Sequence, residues 1–101
     1  MKLYPTKLLT ITCEILAQKN VIEILQKHKV SGYTTYEVDG DGSKGIRGQG
    51  LQNEKNVKVE VVLSEGKLPD VVEEITRTLF SNFAIILYTS DVGVVRTEKF
   101  V

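Results

Sequence analysis

Ser43, Lys44 and Arg47 fall within the segment GDGSKGIRG, with glycines at 40, 42, 45 and 48 around them. Lysine supplies a point cation, and arginine a planar fork of N–H donors that matches two oxygens of one phosphate. The serine hydroxyl adds a neutral donor. The glycines allow positive φ, so the backbone can turn its own N–H groups towards an anion and approach it closely. Together these are the ingredients of a phosphate grip. The segment is not a Walker A loop, because the Gly-Lys-Ser/Thr order is absent and no helix follows. Nor is it a dinucleotide fingerprint, since both the glycine spacing and the strand–turn–helix setting are missing.

The elements that must hold this segment read clearly on either side. YTTYEV (33–38) has strand character, and NVKVEVVLS (56–64) alternates, with Val57, Val59 and Val61 opposite Lys58, Glu60 and Val62. Between them, Asp39 to Lys55 makes a connection far longer than the 2 to 5 residues that usually join hairpin strands. Loops of that length are usually functional or disordered. Upstream, KLLTITCE (7–14) predicts a strand and LAQKNVIEILQKHK (16–29) a helix, with a Glu23–Lys27 surface ion pair and a stop at Ser31-Gly32. Downstream, KLPDVVEEITRTLFSN (67–82) predicts a second helix, with Pro69 in its first turn and Asp70, Glu73 and Glu74 in its N-terminal half. FAIILYTS (83–90) is the most apolar strand and is expected at the centre of the sheet. GVVRTEKF (93–100) is expected to add a short edge strand.

The order β-α-β-β-α-β predicts one α+β domain over residues 1–101, a ferredoxin-like sandwich with both helices on one face of an antiparallel sheet. Apolar residues at both alternations (Ile11 and Thr12, Val61 and Val62, Ile85 to Leu87) predict that a second copy covers the other face. Thirteen cations balance thirteen acids. Any nucleic-acid or membrane affinity would need a local patch, and Tyr33 to Tyr36 do not form an RRM-like aromatic motif. The N-terminus does not read as a signal peptide, and no apolar run is long enough to span a bilayer, so a cytoplasmic protein is expected.

Gly32-Tyr33-Thr34, the pattern Gly40, Gly42, Ser43, Arg47, the strand NVKVEVVL and a tail of the form V-x-V-x-R-x-E-K-F resemble the PII-like signalling proteins. The likeness is nearest to the SbtB-type, carboxysome-associated branch. It implies a homotrimer that binds adenine nucleotides (AMP, ADP, ATP or cyclic AMP) in clefts between subunits, and it leaves bicarbonate open as a further ligand. It also implies a T-loop, here 39–55, whose order changes with occupancy and which regulates a partner such as a bicarbonate transporter at the membrane. By position, Ser43, Lys44 and Arg47, with Gly40 and Gly42, would contact phosphate. Gly32, Tyr33 and Thr34 would line the cleft, joined by Tyr88 and by Arg96 and Lys99 from a neighbouring tail. Lys44 replaces the branch's usual arginine, Asp41 adds an acid, and the paired-cysteine extension of some members is absent, so redox switching is not carried over.

Other residues carry less chemistry. His28, the one histidine, lies near a helix end where a cation suits the dipole, and Cys13 reads as a small buried residue. Neither has partners spaced for a metal, and none is expected. Glu14 and Glu60 could face one another across the sheet as an acid pair. A nonenzymatic regulator is the leading reading. The alternatives are a nucleotide phosphohydrolase using Asp39 and Asp41, or a trimeric metal-tolerance or scaffold protein of related fold.

Overall fold

A computed structural model describes residues 2–30, 32–39 and 55–95. Strand β1 (Tyr4–Glu14) passes through a 3-10 turn (Ile15–Ala17) into helix α1 (Gln18–Lys27). Strands β2 (Thr34–Val38) and β3 (Asn56–Leu63), helix α2 (Leu68–Leu79) and strand β4 (Ile85–Val94) follow. The strands form one antiparallel sheet in the order β2-β3-β1-β4, the ferredoxin-like arrangement.

Side-chain period builds the core. Alternate residues of β1 (Leu9, Ile11, Cys13) and β3 (Val57, Val59, Val61, Leu63) are buried on one sheet face. Helix α1 brings Val21, Ile24 and Leu25 to that face, and α2 brings Val71, Ile75 and Leu79, each a stripe of helical period. Pro69 sits in the first turn of α2 with Asp70, as its missing N–H and the helix dipole favour.

Four details differ from expectation. The apolar run in β4 does not make it central: β4 is an edge strand, while β1, bonded to both β3 and β4, lies inside. Its apolar residues serve two faces, Ile85 and Leu87 packing on the core while Ile86 and Tyr88 point away exposed. Sheet position is decided by which strands the crossovers make neighbours, not by a strand's hydrophobicity. Nor do Gly93 and Val94 start a separate strand. They continue β4, pairing with Pro5 and Tyr4, and residues 96–100 lie outside the described residues. Helix α1 closes at Lys29 rather than at Ser31-Gly32: Lys29 takes φ 58, its N–H bonds Gln26 O at 3.0 Å, and Val30 N–H bonds Leu25 O at 3.1 Å. That is a Schellman cap with a lysine in the position glycine usually fills. Finally, Lys27 does not pair with Glu23 but reaches across to Glu74 on α2, at 3.0 Å.

Candidate functional site

Strand β2 is the shortest of the sheet, and both parts of the expected site hang from it. Gly32 and Tyr33 lead into it, Thr34 begins it, and the long connection leaves from its end at Val38. The connection rejoins the sheet at Lys55, and the last register pairs are Glu37↔Val57 and Val38↔Asn56. Lys55 Nζ lies 3.3 Å from Glu37 Oε1, across the root, and its carbonyl accepts the Ile15 N–H at 2.8 Å. This cation is therefore tied to the sheet at the base of the connection. Gly40, Gly42, Ser43, Lys44 and Arg47 lie outside the described residues, as do Arg96 and Lys99.

Register places the remaining residues. Thr34 pairs with Glu60, Glu60 with Thr10, and Thr10 with Tyr88, giving a row across the sheet. The row lies on the face away from the helices, because its members alternate with the buried core positions. Tyr88 stands at the far end of the row. Three interstrand steps separate it from Thr34, roughly 14 Å at the usual spacing. One chain thus brings Gly32, Tyr33 and Thr34 together, but not Tyr88 with them.

Two residues join the Thr34 end that the sequence did not single out there. Glu60 stands directly beside Thr34, and Tyr36 Oη donates to Glu60 Oε2 at 3.1 Å. The Tyr36 phenol is held above its ordinary pKa, first by lost hydration and then by the Glu60 carboxylate. Alternation in NVKVEVV already turned Glu60 away from the core. Its neighbours, however, depended on register, and one step of slip would have changed them all. Register also removes the proposed acid pair: Glu14 stands opposite Asn56, not Glu60. Glu14 is buried, and its Oε2 accepts the Ala84 N–H at 3.4 Å while its own N–H bonds the Ala84 carbonyl at 3.3 Å. The end of β1 is thereby tied both to the turn before β4 and, through Ile15, to the root of the long connection.

The lone histidine and cysteine take structural places. His28 caps α1, with Nε2 2.8 Å from Glu74 Oε1. The Glu74 carboxyl is held below its usual range, first by the bond from Lys27 and then by that with His28. Cys13 is fully buried in the core, and loss of solvent pushes its thiol up to about 11. Among the described residues no three of His, Cys, Asp and Glu converge as a metal set, and no helix is long and apolar enough to cross a membrane.

Comparison with known proteins agrees with this frame. The sequence model of the family described as nitrogen regulatory protein P-II matches residues 6–99. The chain is similar to a PII-like signalling protein from Thermus thermophilus, with 35% identity over 100% of both chains and a TM-score of 0.83. It is also similar to CPII from Thiomonas intermedia, solved bound to ADP and bicarbonate. There the identity is 26%, the coverage 99% of this chain and 98% of that one, and the TM-score 0.85.

Proposed function

Since this chain belongs to the family of nitrogen regulatory protein P-II, we propose that it is a nonenzymatic signalling protein sensing adenine nucleotides between the subunits of a homotrimer. Occupancy is relayed through the 39–55 loop to a partner protein. The observation that carries this reading is the geometry of β2. One five-residue strand has the Gly32-Tyr33-Thr34 segment at its start and the glycine-rich, cationic connection at its end. A nucleotide lying along such a strand meets phosphate donors at one end and neutral groups at the other.

The charges set its direction. Glu60 beside Thr34 repels phosphate and accepts hydrogen bonds, so the base and sugar belong at that end. Ser43, Lys44 and Arg47, with the backbone at Gly40 and Gly42, take the phosphates. Tyr88, too far from Thr34 within one copy, serves the cleft of a neighbouring copy, and Arg96 joins from a tail. CPII, solved bound to ADP and bicarbonate, supports ADP and bicarbonate as the first ligands to try. AMP, ATP and cyclic AMP are the next. We place the protein in the SbtB-type branch, acting in the cytoplasm on a bicarbonate transporter at the membrane.

Isothermal titration with AMP, ADP, ATP and cyclic AMP, with and without bicarbonate, tests the reading. Binding of at least one nucleotide is expected, weakened about tenfold or more by Lys44→Ala or Arg47→Ala if each removes a charge-assisted bond to phosphate. Absence of binding by all four at millimolar concentration would overturn it.

A further inference from the structure

The corner between α1 and β2 is held largely from outside itself. Its own backbone provides the Schellman bonds at Lys29 and Val30, after which the chain turns through Gly32 and Tyr33 into β2. A Cβ at Gly32 would meet nothing within 4 Å, and Tyr33 is exposed, so packing does not fix these two residues.

Three side-chain bonds, all from α2 or its N-cap, fix the corner instead. Glu74 Oε2 accepts from Lys27 Nζ at 3.0 Å, and Glu74 Oε1 lies 2.8 Å from His28 Nε2. Lys67, the N-cap residue of α2, donates from Nζ to the Lys29 carbonyl at 2.8 Å. The Glu74 side chain is only 14% exposed and that of His28 22%, so this contact is sheltered, whereas Lys27 at 65% is a surface pair worth little alone. Because the two oxygens of one carboxylate engage successive residues, they fix the rotation of the helix end as well as its distance. The Lys67 bond then fixes the carbonyl at the residue with positive φ, where the chain changes direction.

We infer that Glu74, His28 and Lys67 are positioning residues for the ligand-lining segment Gly32-Tyr33-Thr34, so that α2 sets how this segment meets a nucleotide. The inference rests on the nucleotide-binding reading above, but its structural half can be tested without a ligand. In this reading His28 and Glu74 act on the segment through the backbone at the end of α1, not by contact with the nucleotide.

Hydrogen exchange and titration on the full chain test it together, at a temperature where circular dichroism shows every variant folded. In His28→Ala and Glu74→Ala, amides of residues 30–35 should exchange faster than in the parent, while those of 57–63 in β3 stay unchanged. ADP affinity should fall about three- to tenfold in both. His28→Gln, which keeps an N–H donor at similar reach, should restore affinity to within about twofold and return the slow exchange. The double variant should lose no more than the weaker-binding single one, since both substitutions break the same contact. Unchanged exchange at 30–35 overturns the inference, as does faster exchange with unchanged ADP affinity. If the parent binds no nucleotide, the function proposed above fails, and the exchange data alone decide whether α2 holds the segment.

Discussion

Glu74 is the described acid with the most to lose on protonation, because its carboxylate serves both Lys27 and His28. Its folded pKa lies below the ordinary 4.5, so the stability it contributes is present above that value and is lost as pH falls through the lower, folded one. The urea midpoint of the parent should therefore exceed that of Glu74→Gln at about pH 7, and the gap should narrow as the pH falls below the ordinary carboxylate range. A gap independent of pH would mean the carboxylate's charge is irrelevant to the fold. Cys13 makes the opposite case, a group removed from chemistry by burial. With its thiol pushed up to about 11 and no exposed surface, it should resist iodoacetamide at about pH 8 in the folded protein and react once urea unfolds the chain. Mass spectrometry across the unfolding transition reads this directly. Glu60, in contrast, takes its importance from its neighbours Thr34 and Tyr36, which no property of the glutamate alone announces.

At the scale of elements, the end of α1 carries an avoidable strain. Lys29 adopts φ 58, a conformation costing an L-residue with a Cβ about 1–2 kcal/mol, which glycine takes freely. The bond from Lys67 goes to the Lys29 backbone carbonyl, so it survives substitution. Lys29→Gly is expected to stabilise the protein by about 0.5–1 kcal/mol after the added chain entropy of glycine when unfolded, measurable as a rise in the urea midpoint. The position of β4 teaches a related lesson. FAIILYTS reads as a buried strand because its apolar residues are contiguous, yet half of them face outwards from a sheet edge. Contiguous apolar residues report that both faces of a strand meet something apolar. They do not say whether the second face meets this chain or another.

For the whole molecule, the outward face of the sheet holds Ile86 and Tyr88, exposed at 52% and 48%, beside half-buried Leu8 and Val62 and the polar row through Thr10. We assign this face to the proposed trimer, since no helix among the described residues covers it. Ile86→Glu would place a charge in that contact and should shift the light-scattering mass from three copies towards one, with the circular dichroism of the fold retained. An unchanged trimer would place the interface elsewhere. The elements themselves were legible from the sequence because strand and helix periods are local: alternation in NVKVEVV and the stripe of Val21, Ile24 and Leu25 need no knowledge of the rest of the chain. The phosphate contacts proposed for Ser43, Lys44 and Arg47 rest on residue type and spacing along one segment and lie outside the described residues. Tertiary structure alone decided that Glu60 stands beside Thr34, that Glu14 faces Asn56, that Tyr88 lies across the sheet from the segment it was grouped with, and that Glu74 grips the end of α1. Each of these depends on strand register or helix docking, which are set by the packing of residues distant in sequence. Periodicity tells which face a residue occupies, and only the folded chain tells what shares that face with it.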